Sequence, residues 1–199
     1  YQTLDQAKAF AGFPGIAAHM LPVDRYLHNV TDNASARTFR VYDYAGDLMS
    51  IKAAIAAAKN GDFINVDPGT YVEGPQVVVN TNVSVVGVDK NTVIIVPSAN
   101  TGGSGDGRGW FLVNPGKTFN LSGVTLDGAG KLVNIGILSK GPGTISGNIL
   151  KNIGYNPSGP DYAGRGIAFY EANMTISGNT LSNIGRIGIY MYGAGVTNG

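Results

Sequence analysis

The chain has 199 residues, which suits one domain of ordinary size with a sizeable hydrophobic core. Charged residues make up only 14% of it and its formal net charge is +1, so no overall basic field would attract nucleic acid. The lack of cysteine excludes disulfides and thiolate metal sites. No apolar run approaches the roughly 18 residues that a membrane-spanning helix needs, so no membrane span is predicted. The 30 glycines follow no collagen period and predict many tight turns between short strands.

The N-terminal residues 1–40 show no sustained hydrophobic period. They are predicted to contain a short helix near Leu4–Phe10, followed by an irregular packed segment. The chain begins at Tyr1 without a methionine, which is consistent with the removal of a signal peptide.

Residues 41–60 are predicted to form a strand and then a helix. Phe39, Val41 and Tyr42 indicate the strand, and Asp47 or Ser50 is expected to cap the helix. The helical stripe is formed by Leu48, Ile51, Ile55 and the alanines within Ala53–Ala58. Asn60-Gly61 is expected to end it. An alanine-rich helix that leads directly into short strands would cover the open end of a solenoid.

Internal repetition dominates residues 61–199. A short apolar motif ending in glycine recurs at intervals of 36, 24 and 31 residues, as Val85-Val86-Gly87, Leu121-Ser122-Gly123, Ile145-Ser146-Gly147 and Ile176-Ser177-Gly178. The segment ISGNILKNIG at Ile145–Gly154 matches ISGNTLSNIG at Ile176–Gly185 in eight of ten positions. Gly-rich insertions at Ser98–Gly109 and Tyr155–Gly164 explain the longer intervals. The underlying coil of about 22 to 24 residues fits one turn of a parallel β-helix.

Asparagines recur at equivalent positions of these coils. Asn148 and Asn179 follow the turn glycines, and Asn152 and Asn183 precede the next Ile-Gly pair. Stacked amides can hydrogen-bond along the axis of a solenoid, and asparagine tolerates the left-handed backbone of its corners. We therefore predict that these residues form structural ladders.

Three segments together resemble the entry to the pectate-lyase-like right-handed β-helix proteins. They are SIKAAIAAAKNGDFINVDPGTYVEG at Ser50–Gly74, VSVVGVDKNTVII at Val83–Ile95, and the G-N-x-L-x-N-I-G coils. The resemblance implies an all-β fold, a right-handed parallel β-helix solenoid with an N-terminal α-helical cap. It also implies a groove for polysaccharide on one face and an extracellular or cell-surface location. The superfamily contains lyases, hydrolases, esterases, epimerases and non-catalytic surface proteins, so it does not define an activity.

No catalytic signature of these relatives can be carried over to this chain. The Asn-Thr-Asp, Asp-Asp and Gly-His-Gly set of polygalacturonases is absent, as are the signatures of alginate epimerases and pectin methylesterases. Lyase chemistry needs a Lys or Arg base and often a calcium ion held by acidic oxygens. Asp127, Lys140 and Glu171 are the catalytic candidates. No cofactor or metal site is identified, and a role for Ca²⁺ is left open.

Aligning three successive coils places outward side chains in columns. Lys140, Tyr170 and Tyr192 are predicted to form one column, and Leu138, Ala168 and Tyr190 another. Such an aromatic face can bind the apolar side of sugar rings, or it can pack under a loop or a partner, or remain an inert exposed ladder. If it binds sugar, basic groups for acidic substituents are available on Lys140, Arg165 and Arg186.

The last residues, Val196–Gly199, look like the start of a further coil, and no polar cap follows them. The β-helix is therefore expected to be incomplete at its C-terminal end, and self-association through that open coil is a predicted partner interaction. The leading hypothesis is an extracellular protein that binds or processes polysaccharide. The alternative is a non-catalytic adhesin, surface-layer or fibre subunit that uses the solenoid as a rigid, assembling scaffold.

Overall fold

The computed structural model describes residues 38–44, 47–48, 50–128, 130–154 and 163–193. The helix predicted near Leu4–Phe10, the insertion from Tyr155 to residue 162, and Val196–Gly199 lie outside these ranges. Within them, no helix combines the length and apolar character needed to cross a membrane.

The described residues form strands and a single α-helix, with one short 3-10 turn at Gly105–Arg108. In chain order the elements are β1 (Thr38–Val41), β2 (Asp43–Tyr44), β3 (Asp47–Leu48), α1 (Ile51–Ala57), β4 (Asp62–Val66), β5 (Gly69–Glu73), β6 (Val77–Val79), β7 (Val83–Gly87), β8 (Val93–Pro97), β9 (Gly109–Val113), β10 (Phe119–Ser122), β11 (Thr125–Asp127), β12 (Ile135–Ser139), β13 (Gly143–Ser146), β14 (Ile149–Ile153), β15 (Arg165–Tyr170), β16 (Met174–Ser177), β17 (Thr180–Ile184) and β18 (Ile187–Tyr192).

Successive strands are assigned to three parallel sheets in rotation. The first sheet has the order β1-β4-β7-β10-β13-β16, the second β17-β14-β11-β8-β5, and the third β18-β15-β12-β9-β6. Apart from the antiparallel pair β2–β3, each strand inside a sheet therefore pairs with the strand numbered three lower and the strand numbered three higher. This topology fits a parallel β-solenoid, because every coil covers the apolar residues of its neighbours.

The strand pairings confirm the register expected from the sequence repeat. Leu121, Ile145 and Ile176 are direct partners on β10, β13 and β16. Leu121 and Ile145 are almost fully buried in the main core. In β4 and β8 the even alternation of buried and less buried residues shows the same inward and outward pattern.

Helix α1 begins at Ile51 and is shorter than the sequence suggested. Ser50, and not Asp47, is the N-cap, and its hydroxyl accepts a hydrogen bond from the amide of Ala53. Leu48 was wrongly assigned to the helical stripe, because it pairs with Asp43 in the antiparallel β2–β3 ribbon. The helix ends at Ala57, since the backbone of Ala58 is already extended.

A buried carboxylate joins α1 to the second sheet. The side chain of Glu73, at the end of β5, accepts hydrogen bonds from the Ser50 hydroxyl and from the backbone amides of Ile51 and Lys52. Burial raises the pKa of Glu73, and these three hydrogen bonds oppose the rise. One residue thus satisfies the first amides of the helix and holds them against the first coils.

The predicted asparagine ladders are present. Asn148 donates from Nδ2 to Oδ1 of Asn179 over 3.0 Å, and Asn183 donates in the same way to Asn152 over 2.6 Å. Asn152 and Asn183 have φ angles of 55° and 50°, the left-handed conformation expected at the corners. These amides stabilise the stacking of coils, since their hydrogen bonds run from one coil to the next.

Candidate functional site

The aromatic columns lie on the third sheet, where the sequence alignment of the coils proves correct. Leu138 pairs with Ala168, and Ala168 with Tyr190, while Tyr170 pairs directly with Tyr192. The three tyrosines are therefore brought together by register alone, on strands β15 and β18.

The tyrosine rings contact one another across the two strands. The ring centroid of Tyr170 lies 5.7 Å from that of Tyr192 and 5.9 Å from that of Tyr190, with interplanar angles of 51° and 55°. These tilted pairs are within the favourable range for aromatic contacts. Tyr192 is 58% exposed, whereas Tyr170 and Tyr190 are half-buried, so the cluster has both a fixed base and an accessible edge.

Arg165 forms the base of this cluster. Its guanidinium carbon lies 3.7 Å from the centre of the Tyr190 ring, and Nη1 donates a hydrogen bond of 2.9 Å to the Tyr170 hydroxyl. Only 7% of the residue is exposed. A close cation–π contact in a desolvated place holds the Tyr190 ring more firmly than an exposed contact would, and the hydrogen bond fixes Tyr170. We call Arg165, Tyr170, Tyr190 and Tyr192 the Arg–Tyr cluster.

The second predicted column differs in exposure from the first. Leu138 and Ala168 are 2% and 0% exposed, and with Leu112 and Ile135 they form an apolar cluster separate from the main core. Tyr170 and Tyr190 pack against it. The third sheet therefore packs apolar residues outside the main core as well, which local alternation could not reveal.

Lys140 is placed at the end of β12 but engages a different part of the chain. Its Nζ forms an ion pair of 2.6 Å with Asp106, a residue of the Gly105–Arg108 turn. Gln76 donates to the backbone carbonyls of Asp106 and Gly109 and ties the same turn to the chain before β6. The predicted insertion thus folds back beside the third sheet.

The remaining candidate residues lie on different elements of the chain. Asp127 ends β11 in the second sheet, where it accepts from Asn152 Nδ2 and pairs with Lys151 at 3.2 Å. Lys140 directly follows β12 in the third sheet, so Asp127 and Lys140 lie on different sheets. Glu171 lies exposed just after β15, with a φ of 52°. Arg186 lies exposed before β18, and its amide donates to Gly164, next to Arg165.

An open groove lies at the corner between the second and third sheets. It has a volume of about 670 Å³ and is lined by residues that include Gly128, Lys131, Asn152 and Asn183. Its wall is largely the asparagine ladder and glycine backbone. Among the described residues no group of three His, Cys, Asp or Glu side chains is placed to hold a metal ion, here or elsewhere.

Sequence reasoning missed two features of the site. It did not find Asp106 as the partner of Lys140, because the two are distant in the chain and the Gly-rich insertion has no period. It also treated Arg165 as an accessible basic group, whereas the structure buries it. A positive charge at the first position of a strand, in register with Ile135 and Ile187, was the only available signal.

The chain matches no protein-family model, and no curated protein matches it. The geometry of the described residues is therefore the basis for the functional assignment.

Proposed function

We propose that this protein is an extracellular right-handed parallel β-helix of the pectate-lyase-like type, and that it binds or acts upon polysaccharide. In this proposal the Arg–Tyr cluster is the binding surface, and α1 is the cap of the solenoid. The observation that carries the proposal is the contact of Tyr170 with both Tyr190 and Tyr192 over an anchored arginine.

The cluster has the chemistry that sugar recognition requires. Tyrosine rings offer flat apolar surface together with hydroxyl groups. Because their side chains have few rotatable bonds, they lose little conformational entropy when they bind a ligand. The contact with Arg165 and the packing against Leu138 and Ala168 hold Tyr170 and Tyr190 in place before any ligand arrives. Such preorganisation lowers the entropy cost of binding.

In this proposal, binding of polysaccharide is better supported than catalysis. Acid–base chemistry needs groups within hydrogen-bond reach of one reacting centre. Asp127 ends β11 in the second sheet and Lys140 follows β12 in the third, and each is ion-paired. Lys140 and Glu171 follow neighbouring strands, β12 and β15, and are the pair that a catalytic variant of the proposal would use, with or without a bound Ca²⁺.

The binding proposal is tested on a glycan array, with affinities then measured by calorimetry. We expect the double substitution Tyr170→Ala/Tyr192→Ala to weaken glycan binding at least about tenfold, because it removes both stacked rings. Phe63→Ala is the matched control, since Phe63 is a 45% exposed aromatic residue on the first sheet. The proposal fails if no glycan binds the native protein, or if the double variant binds as the native protein does.

A second function is suggested by the way the coils stack. Ile167 and Phe169 are buried and pair directly with Ile189 and Met191 of the following coil. A regular stack of this kind would suit a non-catalytic adhesin, surface-layer or fibre scaffold.

Sedimentation velocity over a range of concentrations tests this scaffold function. We expect assembly that increases with concentration. A native protein that stays monomeric at every concentration rules the scaffold function out.

A further inference from the structure

Among the described residues, no group neutralises the charge of Arg165. Only 7% of the residue is exposed, and its Nε atom is buried with no hydrogen-bond partner. The hydroxyl of Tyr170 is the one hydrogen-bond acceptor that its guanidinium has among the described residues. This hydrogen bond and the cation–π contact with the Tyr190 ring are thus the contacts that the guanidinium makes there.

No carboxylate of the described residues forms an ion pair with Arg165. Asp106, the acidic residue of the turn beside the third sheet, is already paired with Lys140. Arginine stays protonated at all physiological pH values, so it cannot relieve the cost of burial by losing its proton. A buried charge without an ionic partner is unfavourable, and an anion that arrived at the site would recover part of that cost.

From this arrangement we infer that the Arg–Tyr cluster is an anion subsite, and that it takes a carboxylate or sulfate ester carried on a sugar ring. The inference rests on the proposed glycan-binding function and narrows it to acidic glycans. The tyrosine rings contact the sugar, and the guanidinium donates hydrogen bonds to the oxyanion beside or in place of the Tyr170 hydroxyl. Planar guanidinium groups suit both kinds of oxyanion because they donate along a fixed fork.

The test compares polymers that differ only in charge. Native protein is titrated at low salt with polygalacturonate and with its fully methyl-esterified form, and then with dextran sulfate and dextran. We expect the charged member of at least one pair to bind about tenfold tighter or more, because a desolvated arginine gains an ionic partner. The first pair reports on carboxylate and the second on sulfate. Equal affinity within both pairs overturns the inference and needs no variant.

Substitutions then test which residue causes the preference for charged polymers. Arg165→Gln is expected to abolish the discrimination between charged and neutral polymers, and to weaken the binding of the neutral polymers as well, because Arg165 holds Tyr170 and Tyr190 in place. Arg40→Gln removes the same charge from the first sheet and is expected to leave the discrimination intact. A preference that persists in Arg165→Gln overturns the inference. Near-ultraviolet circular dichroism of the tyrosines checks that the variant is folded, and Arg165→Lys replaces it if it is not, with a weakened preference expected.

Failure of the anion subsite can be distinguished from failure of the proposed function. If neutral polymers bind as well as charged ones, glycan binding stands and the anion subsite falls. If no polymer binds, the proposed function falls, and the subsite is judged by thermal unfolding in sodium galacturonate or sodium sulfate against sodium chloride at equal ionic strength. A higher midpoint for native protein that Arg165→Gln loses supports the subsite, and equal midpoints overturn it.

Discussion

Glu73→Ala is expected to destabilise the protein by about 3 kcal/mol, because it removes acceptors from buried or half-buried donors. The amide of Ile51 lies 2.5 Å from Glu73 Oε1, and the amide of Lys52 and the hydroxyl of Ser50 lie 3.1 and 2.9 Å from Oε2. Glu73 itself is 1% exposed, so water cannot simply take its place. Urea unfolding at neutral pH measures the loss.

Local measurements separate this role from a general loss of stability. Amide hydrogen exchange at Ile51 and Lys52 is expected to accelerate in Glu73→Ala more than exchange at Leu150, which lies coils away on β14. Glu171→Gln is the matched control, since Glu171 is an exposed carboxylate with no role at α1. A loss of less than about 1 kcal/mol in Glu73→Ala would show that these donors find other partners.

Gly87→Ala is expected to cost on the order of 3 kcal/mol, since the added methyl group has no space. A Cβ atom at Gly87 would lie 2.2 Å from the backbone oxygen of Gly123 and 2.8 Å from a side-chain carbon of Val124. These atoms belong to the next coil and are not the flexible end of a long side chain. The coils that contain β7 and β10 would have to move apart, which would weaken the pairing between them.

Gly103→Ala is the control for this substitution. Gly103 lies in the insertion before the 3-10 turn, and a Cβ atom there would meet nothing within 4 Å. We expect its unfolding free energy to change by less than about 0.5 kcal/mol. Equal effects of the two substitutions would contradict the close approach of coils at Gly87.

The repeat explains how much of this fold could be predicted. Residues one coil apart become neighbours in a solenoid, so the match between Ile145–Gly154 and Ile176–Gly185 predicts a register as well as a similarity. The ladders of Asn148 with Asn179 and of Asn152 with Asn183 followed from it directly. So did the pairing of Tyr170 with Tyr192.

The contacts of non-repeating segments could not be predicted from the repeat. The Gly-rich insertion contains Asp106, and nothing in its own sequence indicates that Asp106 forms an ion pair with Lys140. Likewise, Glu73 lies at the end of an ordinary strand, and only the docking of α1 makes it a helix cap. Contacts of this kind depend on where two unrelated segments meet in space, which a local pattern does not encode.

The amino-acid sequence by itself therefore determined the coil length, the parallel register and the column of outward tyrosines, because these follow from a period along the chain. Only the tertiary structure decided what those columns became. It buried Leu138 and Ala168 outside the main core, paired Lys140 with Asp106, and left Arg165 desolvated beneath the tyrosine rings. The burial of a side chain and the pairing of its charge depend on neighbours from several coils and from an insertion. The alternation of apolar and polar residues along one strand therefore does not predict them.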